Sequence, residues 1–151
     1  MLKNILIISL CFFFISIANA KQIKIESDKL EIIRTENISI FSGKVYALEG
    51  NLEIWSEKLI VTSSEDENEI REINAYGNVR ILREELSING NEAKYSPNKN
   101  TLVVFGEVEV MQSKNIILCD KIVVDLKNSS SIMSSVSKSR VEAIIISENK
   151  N

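Results

Sequence analysis

The sequence Phe41-Ser-Gly-Lys-Val45 recurs in altered form as Ala75-Tyr-Gly-Asn-Val79 and Val104-Phe-Gly-Glu-Val108. The glycines of successive copies are 34 and 29 residues apart. Each copy is followed by a second apolar stretch, and residues 25–32 resemble that second stretch without the first. Self-similarity at this spacing indicates a repeat whose unit is one long hairpin. Because one hairpin cannot bury its own apolar face, stacked copies are expected to share one interior. The second stretches lie at residues 54–61, 90–95 and 118–124.

Apolar and polar residues alternate along most of the chain after residue 21. A period of two residues is typical of strands that are buried on one face only. Leu52 and Ile54, for example, lie on one face of their strand, and Glu53 lies on the other. Glu107 and Glu109 likewise lie on the solvent face of their strand. The alternation therefore predicts an interior face. Its members are Val45, Ala47, Ile54, Val79, Ile81, Val108, Val110, Ile122 and Val124.

Clusters of Gly, Asn, Ser and Pro separate these stretches and predict turns. They stand at residues 49–51, 63–68, 89–91, 96–100 and 127–131. About eleven to fourteen short strands fit between them, a number that favours a sandwich, a jelly roll or a barrel. The fold class predicted from the residues is all-β.

The N-terminus has the pattern of a secretory signal peptide. Lys3 precedes an apolar run at residues 5–17, and Ala18-Asn19-Ala20 follows as a small-x-small cleavage site. The run has 13 residues, whereas a helix that spans a bilayer needs about 20. We expect cleavage after Ala20, which leaves a single domain at residues 21–151.

Composition excludes several classes of function. The whole chain has 18 Lys and Arg, 21 Asp and Glu, and no His. Loss of Lys3 with the signal leaves a charge of 17 minus 21, or −4. With this acidic balance and no basic cluster, nucleic-acid binding is not expected. Without His, the common nucleophilic triads and the commonest metal ligand are missing. A carboxylate pair or carboxylate metal site stays open, but nothing in the sequence singles one out, so we predict no catalytic residues, no metal site and no cofactor.

The two cysteines predict no intramolecular disulfide, because Cys11 lies in the signal segment and only Cys119 remains. Free cysteine is among the residue types that are most often buried. Cys119 is therefore predicted to be a small core residue.

The order of these motifs resembles the OstA-like lipopolysaccharide-transport family. The resemblance begins with Ile-x-Ile-x-Ser-Asp at residues 23–28 and continues with Phe-x-Gly-x-Val and Ser-Glu-Lys-Leu-Ile-Val. Gly-Asn-Val, Gly-Asn-Glu-Ala-Lys-Tyr and Cys-Asp-Lys-Ile then follow in the family's order. The similarity covers nearly all of residues 22–146.

The resemblance implies a twisted β-jelly roll, open at both ends and built from repeated hairpins, that shields acyl chains of lipopolysaccharide in its interior. Ile23 and Ile25 match the strand near the lipid entrance, and Tyr95 matches an aromatic residue that faces the interior. The implied role is a periplasmic, non-enzymatic carrier between the inner and outer membranes. Its implied partners are lipid A, the anchored inner-membrane component, the outer-membrane component and further copies of the chain joined head to tail.

Two other interpretations stay open. In one, residues 5–17 are retained and the protein is the inner-membrane-anchored component of the same transport system. In the other, it is a structural β-repeat protein with a fully packed interior and no ligand. Neither the first strand, expected at residues 23–32, nor the last, expected at 141–146, contains proline, so pairing with a neighbouring strand is available at both edges.

Overall fold

A computed structural model describes residues 22–66, 69–136 and 139–147. The predicted signal peptide, with Cys11 and the cleavage site, lies outside these residues. The described residues form an all-β fold in which ten antiparallel strands belong to one sheet. Two short 3₁₀ turns, Arg34–Glu36 and Pro97–Lys99, connect strands. The strands are β1 (Ile23–Glu26), β2 (Lys29–Ile33), β3 (Ile38–Glu49), β4 (Leu52–Ser63), β5 (Ile70–Arg83), β6 (Leu86–Ser96), β7 (Thr101–Gln112), β8 (Asn115–Asp125), β9 (Ser130–Ser134) and β10 (Glu142–Ile144).

The strands of the described residues are fewer and longer than predicted. Strands β3 to β8 have 11 to 14 residues each. The predicted turn at residues 89–91 is wrong, because Gly90 lies inside β6 and pairs with Val79 of β5. Glycine and asparagine also allow a strand to bend without ending, so the same residues can mark a bulge or a turn. The predicted turns at residues 49–51, 96–100 and 127–131 are confirmed within one or two residues.

The repeated glycine forms a β-bulge in each of three strands. The register of strand pairing shifts between residues 42 and 45, between residues 76 and 79, and between residues 105 and 108. The residue after each glycine also has a positive φ, so two left-handed residues follow one another. This geometry bends a strand sharply while pairing continues on both sides. The pairs are Gly43 with Lys44, Gly77 with Asn78, and Gly106 with Glu107.

The second stretch of the repeat supplies a side chain that lies over the next glycine. A Cβ added to Gly77 would stand 2.6 Å from Oε2 of Glu57, and Glu57 also accepts a hydrogen bond from Asn78 at 2.5 Å. Asp28 lies over Gly43, and Asn91 over Gly106, in the same way. The two halves of the sequence repeat therefore meet at each bend.

Replacing Gly77 by Ala is expected to destabilise the fold by about 2 kcal/mol or more, because its φ of 79° is unfavourable for an L residue and the new Cβ displaces Glu57. Gly50→Ala is a matched control, since φ is 60° but no atom lies within 4 Å of the added Cβ. We expect this control to cost only the backbone strain of about 1–2 kcal/mol. Urea unfolding measures the free energy of unfolding of both variants. Equal losses of stability would show that the contact between the new Cβ and Glu57 is unimportant.

The bends divide the sheet into two half-sheets that face each other. Half-sheet A contains β2, β9 and the segments 38–42, 58–63, 70–76, 92–96, 101–105 and 121–125, and half-sheet B contains β1, β10 and the segments 45–49, 52–56, 79–83, 86–90, 108–112 and 115–119. Buried residues of both half-sheets form one apolar core. We call the bent side the spine and the side with the hairpin turns the lip. The backbone crosses between the half-sheets at the spine of β3 to β8, whereas in the described residues the lip is closed by side chains and turns.

Each end of the sheet is formed by two short strands rather than the single terminal strands that the sequence predicted. β1 and β2 both pair with β3, and the regular ladder is interrupted at Ser27 and Asp28, where the N–H of Asp28 still donates to the backbone oxygen of Gly43 at 2.9 Å. β9 and β10 both pair with β8. Between them, Asp120 accepts hydrogen bonds from the backbone N–H of Val136 at 2.9 Å and from the hydroxyl of Ser139. These bonds lower the pKa of Asp120 and fasten the C-terminal segment to β8.

Cys119 is buried, as predicted. Burial raises the pKa of its thiol. Because the thiolate is the nucleophilic form, a raised pKa disfavours reactivity. Cys119 therefore behaves as a small core residue.

Candidate functional site: the interior of the roll

The structure brings the predicted interior residues together in one core. All nine residues of the predicted face are buried, and so is Tyr95. Ile23 and Ile25 are half-buried and pack against the same core. Contact of these residues with a lipid remains a prediction.

The middle of the interior is closely packed. Leu59, Val104 and Ile122 have no exposed surface, and they come from three different strands of half-sheet A. Close packing means that any large molecule in this region must separate the half-sheets. Since the half-sheets are joined along the spine, such a separation would widen the lip.

At the N-terminal end the interior opens to solvent. Leu30 pairs with Phe41 and Ile32 with Ser39, positions that continue the inner face of half-sheet A. Yet Leu30 and Ile32 are 50% and 59% exposed, because β2 is an edge strand and no other strand of the described residues lies beyond it. The interior residues Ile25 and Phe41 adjoin them and are half-buried. Sequence reasoning missed Leu30 and Ile32 as site residues, although their alternation with Lys29 and Glu31 was a usable signal.

At the C-terminal end a cavity of about 260 Å³ opens between β9 and β10. Its wall combines Met133 of half-sheet A with Ile117 and Ala143 of half-sheet B. Val110 and Val124, both predicted site residues, form its floor. Neither Ile117 nor Met133 was predicted, because Ile117 lies in the unbroken apolar run at residues 116–119 and Met133 lies in the short strand β9, so neither stretch carries clear alternation. Apolar residues are thus accessible at each end of the roll, and at the C-terminal end they share the cavity wall with polar residues such as Gln112 and Ser131.

The lip holds a larger cleft of about 600 Å³ with a polar rim. Arg83 and Glu49 of half-sheet B line it together with Tyr95 and Leu126 of half-sheet A. The guanidinium of Arg83 donates a hydrogen bond to the backbone oxygen of Leu126 at 3.1 Å. The carboxylate of Glu49 is shielded from solvent and lines the same cleft as Tyr95. Burial, together with the nearby Glu49 carboxylate, raises the pKa of Tyr95, so its hydroxyl stays protonated.

Residues 24–130 match the family described as LptA/(LptD N-terminal domain) LPS transport protein, where LPS is lipopolysaccharide. The chain belongs to this family. The matched residues of this LptA/LptD N-terminal domain run from Lys24 of β1 to Ser130, the first residue of β9. They include the three bent hairpins and nearly the whole interior. β10 and the apolar residues after it lie beyond the match.

The fold of this LptA/LptD N-terminal domain is also similar to a solved structure, that of LptH from Pseudomonas aeruginosa. LptH is described as the LptA homologous periplasmic component of the conserved lipopolysaccharide transport device. The TM-score is 0.76 at 15% sequence identity, and the alignment covers 84% of this chain and 96% of LptH. This similarity confirms the predicted β-jelly roll. No curated protein matches the chain significantly.

The described residues contain neither a candidate metal site nor a membrane-spanning helix. Over residues 22–66, 69–136 and 139–147, no three His, Cys, Asp or Glu side chains are grouped to hold a metal ion. In the same part of the chain, no helix is both long enough and apolar enough to cross a membrane.

Proposed function

We propose that the protein is a periplasmic lipopolysaccharide carrier whose interior shields the acyl chains of lipid A between the inner and outer membranes. The observation that supports this most is an apolar interior that opens at both ends, in a chain that belongs to a lipopolysaccharide transport family. Export with cleavage after Ala20 is part of the proposal. Nothing in it requires a catalytic group.

The energy of acyl-chain burial is sufficient for such a carrier. Burial of one methylene is worth about 0.8 kcal/mol, so a chain of about a dozen carbons gains roughly 10 kcal/mol before ordering costs. The apolar residues Ile25, Phe41, Ile117 and Met133, which adjoin the two openings, offer the first contacts. Deeper insertion would exchange contacts between half-sheets for contacts with the lipid.

The proposal includes a bridge of copies joined head to tail. The exposed apolar side chains at one end of the sheet are Leu30 and Ile32, and those at the other include Ile132 and Ile145, which are 73% and 75% exposed. Strand edges without proline can pair with another chain. A heterologous contact of this kind repeats without closing and gives a filament. Such a filament would align the open ends of successive interiors.

Site-specific photo-crosslinking in cells tests the lipid interior. We expect crosslinkers at Ile25 and Ile117 to label lipopolysaccharide, because both side chains face the interior next to an opening. The matched controls are Glu26 and Leu118, the next residues along each strand, which face outwards and are exposed. They should stay unlabelled, as should Glu109. Equal labelling from both faces would contradict the assignment, and absence of any labelling would favour a structural β-repeat protein with no ligand.

A further inference from the structure

The outer surface of half-sheet B is apolar at its C-terminal end. Residues 116–119 of β8 form an unbroken apolar run, so apolar side chains point outwards as well as inwards. Leu118 on this outer surface is 38% exposed, and Ile144 of the adjacent strand β10 is 45% exposed. A continuous apolar run is typical of strands that are covered on both faces. This outer surface, which we call the B face, also includes Tyr46, Leu48, Trp55, Leu82, Met111 and Ile116.

Two rows of outward residues cross the central strands β5, β6 and β7 of the B face. The rows are Arg80–Asn89–Glu109 and Leu82–Ser87–Met111. Neighbouring strands are about 4.8 Å apart, so Arg80 and Glu109 lie roughly 10 Å apart and are too distant to pair within one copy. Instead, Asn89 donates a hydrogen bond to Glu109 at 3.3 Å, and the guanidinium of Arg80 lies 5.3 Å from the centroid of the Trp55 ring. The two flanking strands therefore present opposite charges on either side of β6.

We propose that the B face is an interface between two copies of this chain, related by a two-fold axis that runs along β6. Rotation about this axis places β5 of each copy opposite β7 of the other. Arg80 then meets Glu109 of the second copy, and Leu82 meets Met111 of the second copy, with both contacts repeated by symmetry. The short side chains of β6 lie at the axis and let the two sheets approach to about 10 Å, the usual distance for packed sheets. One surface thus complements itself, which is what a closed pair requires.

The size and the symmetry of the B face say what kind of pair it forms. Its eight strands span roughly 34 Å by 16 Å. Two copies would bury about 1,000 Å², which is the lower limit for a specific interface, so the pair forms only at high protein concentration. Because the axis is parallel to the strands, the N-terminal end of one roll lies beside the C-terminal end of the other. Two head-to-tail bridges of the same polarity cannot pair in this way, so the pairing concerns copies outside a bridge and does not depend on lipid binding.

Cysteine crosslinking detects this pair separately from end-to-end association. Asn89 lies at the axis, in the middle of the B face, so a short bis-maleimide is expected to join two copies of Asn89→Cys. Contacts between the ends of the roll would leave these two cysteines far apart. Asn74→Cys is the matched control, because Asn74 also faces outwards on β5 but lies in half-sheet A. The native Cys119 is buried, which protects its thiol from the reagent.

Charge reversal in the Asn89→Cys background tests whether Arg80 meets Glu109 of the second copy. Arg80→Glu and Glu109→Arg each replace two attractive contacts by two repulsive ones. We therefore expect the protein concentration for half-maximal crosslinking to rise about tenfold in each variant. The double variant Arg80→Glu/Glu109→Arg restores opposite charges and is expected to crosslink like its Asn89→Cys parent. Far-UV circular dichroism checks the fold of every variant.

Three results would overturn the interface. The first two are an absence of crosslinks in Asn89→Cys and equal crosslinking of Asn74→Cys, since random collisions would explain the latter. The third is a double variant that crosslinks as weakly as the single variants, because the two charges would then not meet. If a charge variant does not fold, the comparison of Asn89→Cys with Asn74→Cys decides alone. Labelling of lipopolysaccharide in cells is a separate measurement, so failure of the pair leaves the carrier function untouched.

Discussion

Replacement of Leu59 by Ala is expected to lower the free energy of unfolding by about 2–5 kcal/mol in the absence of lipid, the range for leucine deletions in packed cores. Leu59 has no exposed surface and pairs with Phe41 on one side and Ala75 on the other. The lost side chain leaves a cavity in the middle of the interior. Urea unfolding measures the loss.

The same variant is expected to regain stability from lipid more than the wild type does. A ligand that binds only the folded state stabilises it by about 2.7 kcal/mol at a concentration of 100 Kd. In the wild type an acyl chain must displace packed side chains. In Leu59→Ala part of the acyl chain can instead fill the cavity that the lost side chain leaves. Its affinity for the variant should therefore be higher, and the shift in unfolding midpoint on addition of lipopolysaccharide should be larger.

Ile60→Ala provides the control for this comparison. Ile60 is the next residue of β4, is only half-buried and faces outwards, since it pairs with Ile40 and Asn74 on the outer face. We expect a smaller loss of stability and a lipid-induced shift equal to that of the wild type. Equal shifts in all three proteins would mean that lipid does not occupy the middle of the interior. No shift in any of them would favour the interpretation of a ligand-free structural protein.

Local alternation was enough to predict buried residues on five of the six long strands, β3, β4, β5, β7 and β8. Val45, Ile81 and Val124 lie inside because a two-residue period fixes the face of a side chain wherever the strand runs. The aromatic-Gly-x-Val copies likewise predicted the hairpins. What they left undecided was whether a glycine ends a strand or bends it, and Gly90 was assigned wrongly for that reason.

The remaining features depend on which strands are neighbours in space. Leu30 and Ile32 carry an interior pattern but are exposed, because β2 lies at the edge of the sheet. The bond between Arg83 and Leu126 spans 43 residues and follows from the folding of half-sheet A over half-sheet B. Local periodicity contains no information on either point. Alternation therefore predicted much of the buried core of the candidate site, but neither the exposure of the edge strands nor the contact across the lip.

Proline at Ile145 is expected to weaken self-association of the protein by about tenfold or more. Proline lacks the backbone N–H that would pair with a neighbouring strand, and its ring obstructs the approach of that strand. The backbone N–H of Ile146 donates to Asn115 of β8 at 3.1 Å, so it points towards the sheet. Successive N–H groups of an extended chain point to opposite sides, so we expect the N–H of Ile145, the residue directly after β10, to be directed to the open edge. Proline there removes a donor that a neighbouring copy would use.

The monomer should tolerate this change, which makes the test specific. Proline restricts the preceding residue to extended backbone, and Ile144 is already extended as the last residue of β10. Ile145→Ala is the matched control, since it shortens the same exposed side chain but keeps the N–H. Sedimentation across a range of concentrations should show filaments for the wild type, somewhat weaker association for Ile145→Ala and mainly monomers for Ile145→Pro, with the same far-UV circular dichroism for all three.

If Ile145→Ala weakened association as much as Ile145→Pro, contact would depend on apolar side chains rather than on strand pairing. A wild type that remained monomeric at high concentration would rule out the bridge and favour a soluble shuttle, because continuous transfer along joined interiors requires the ends of successive copies to meet.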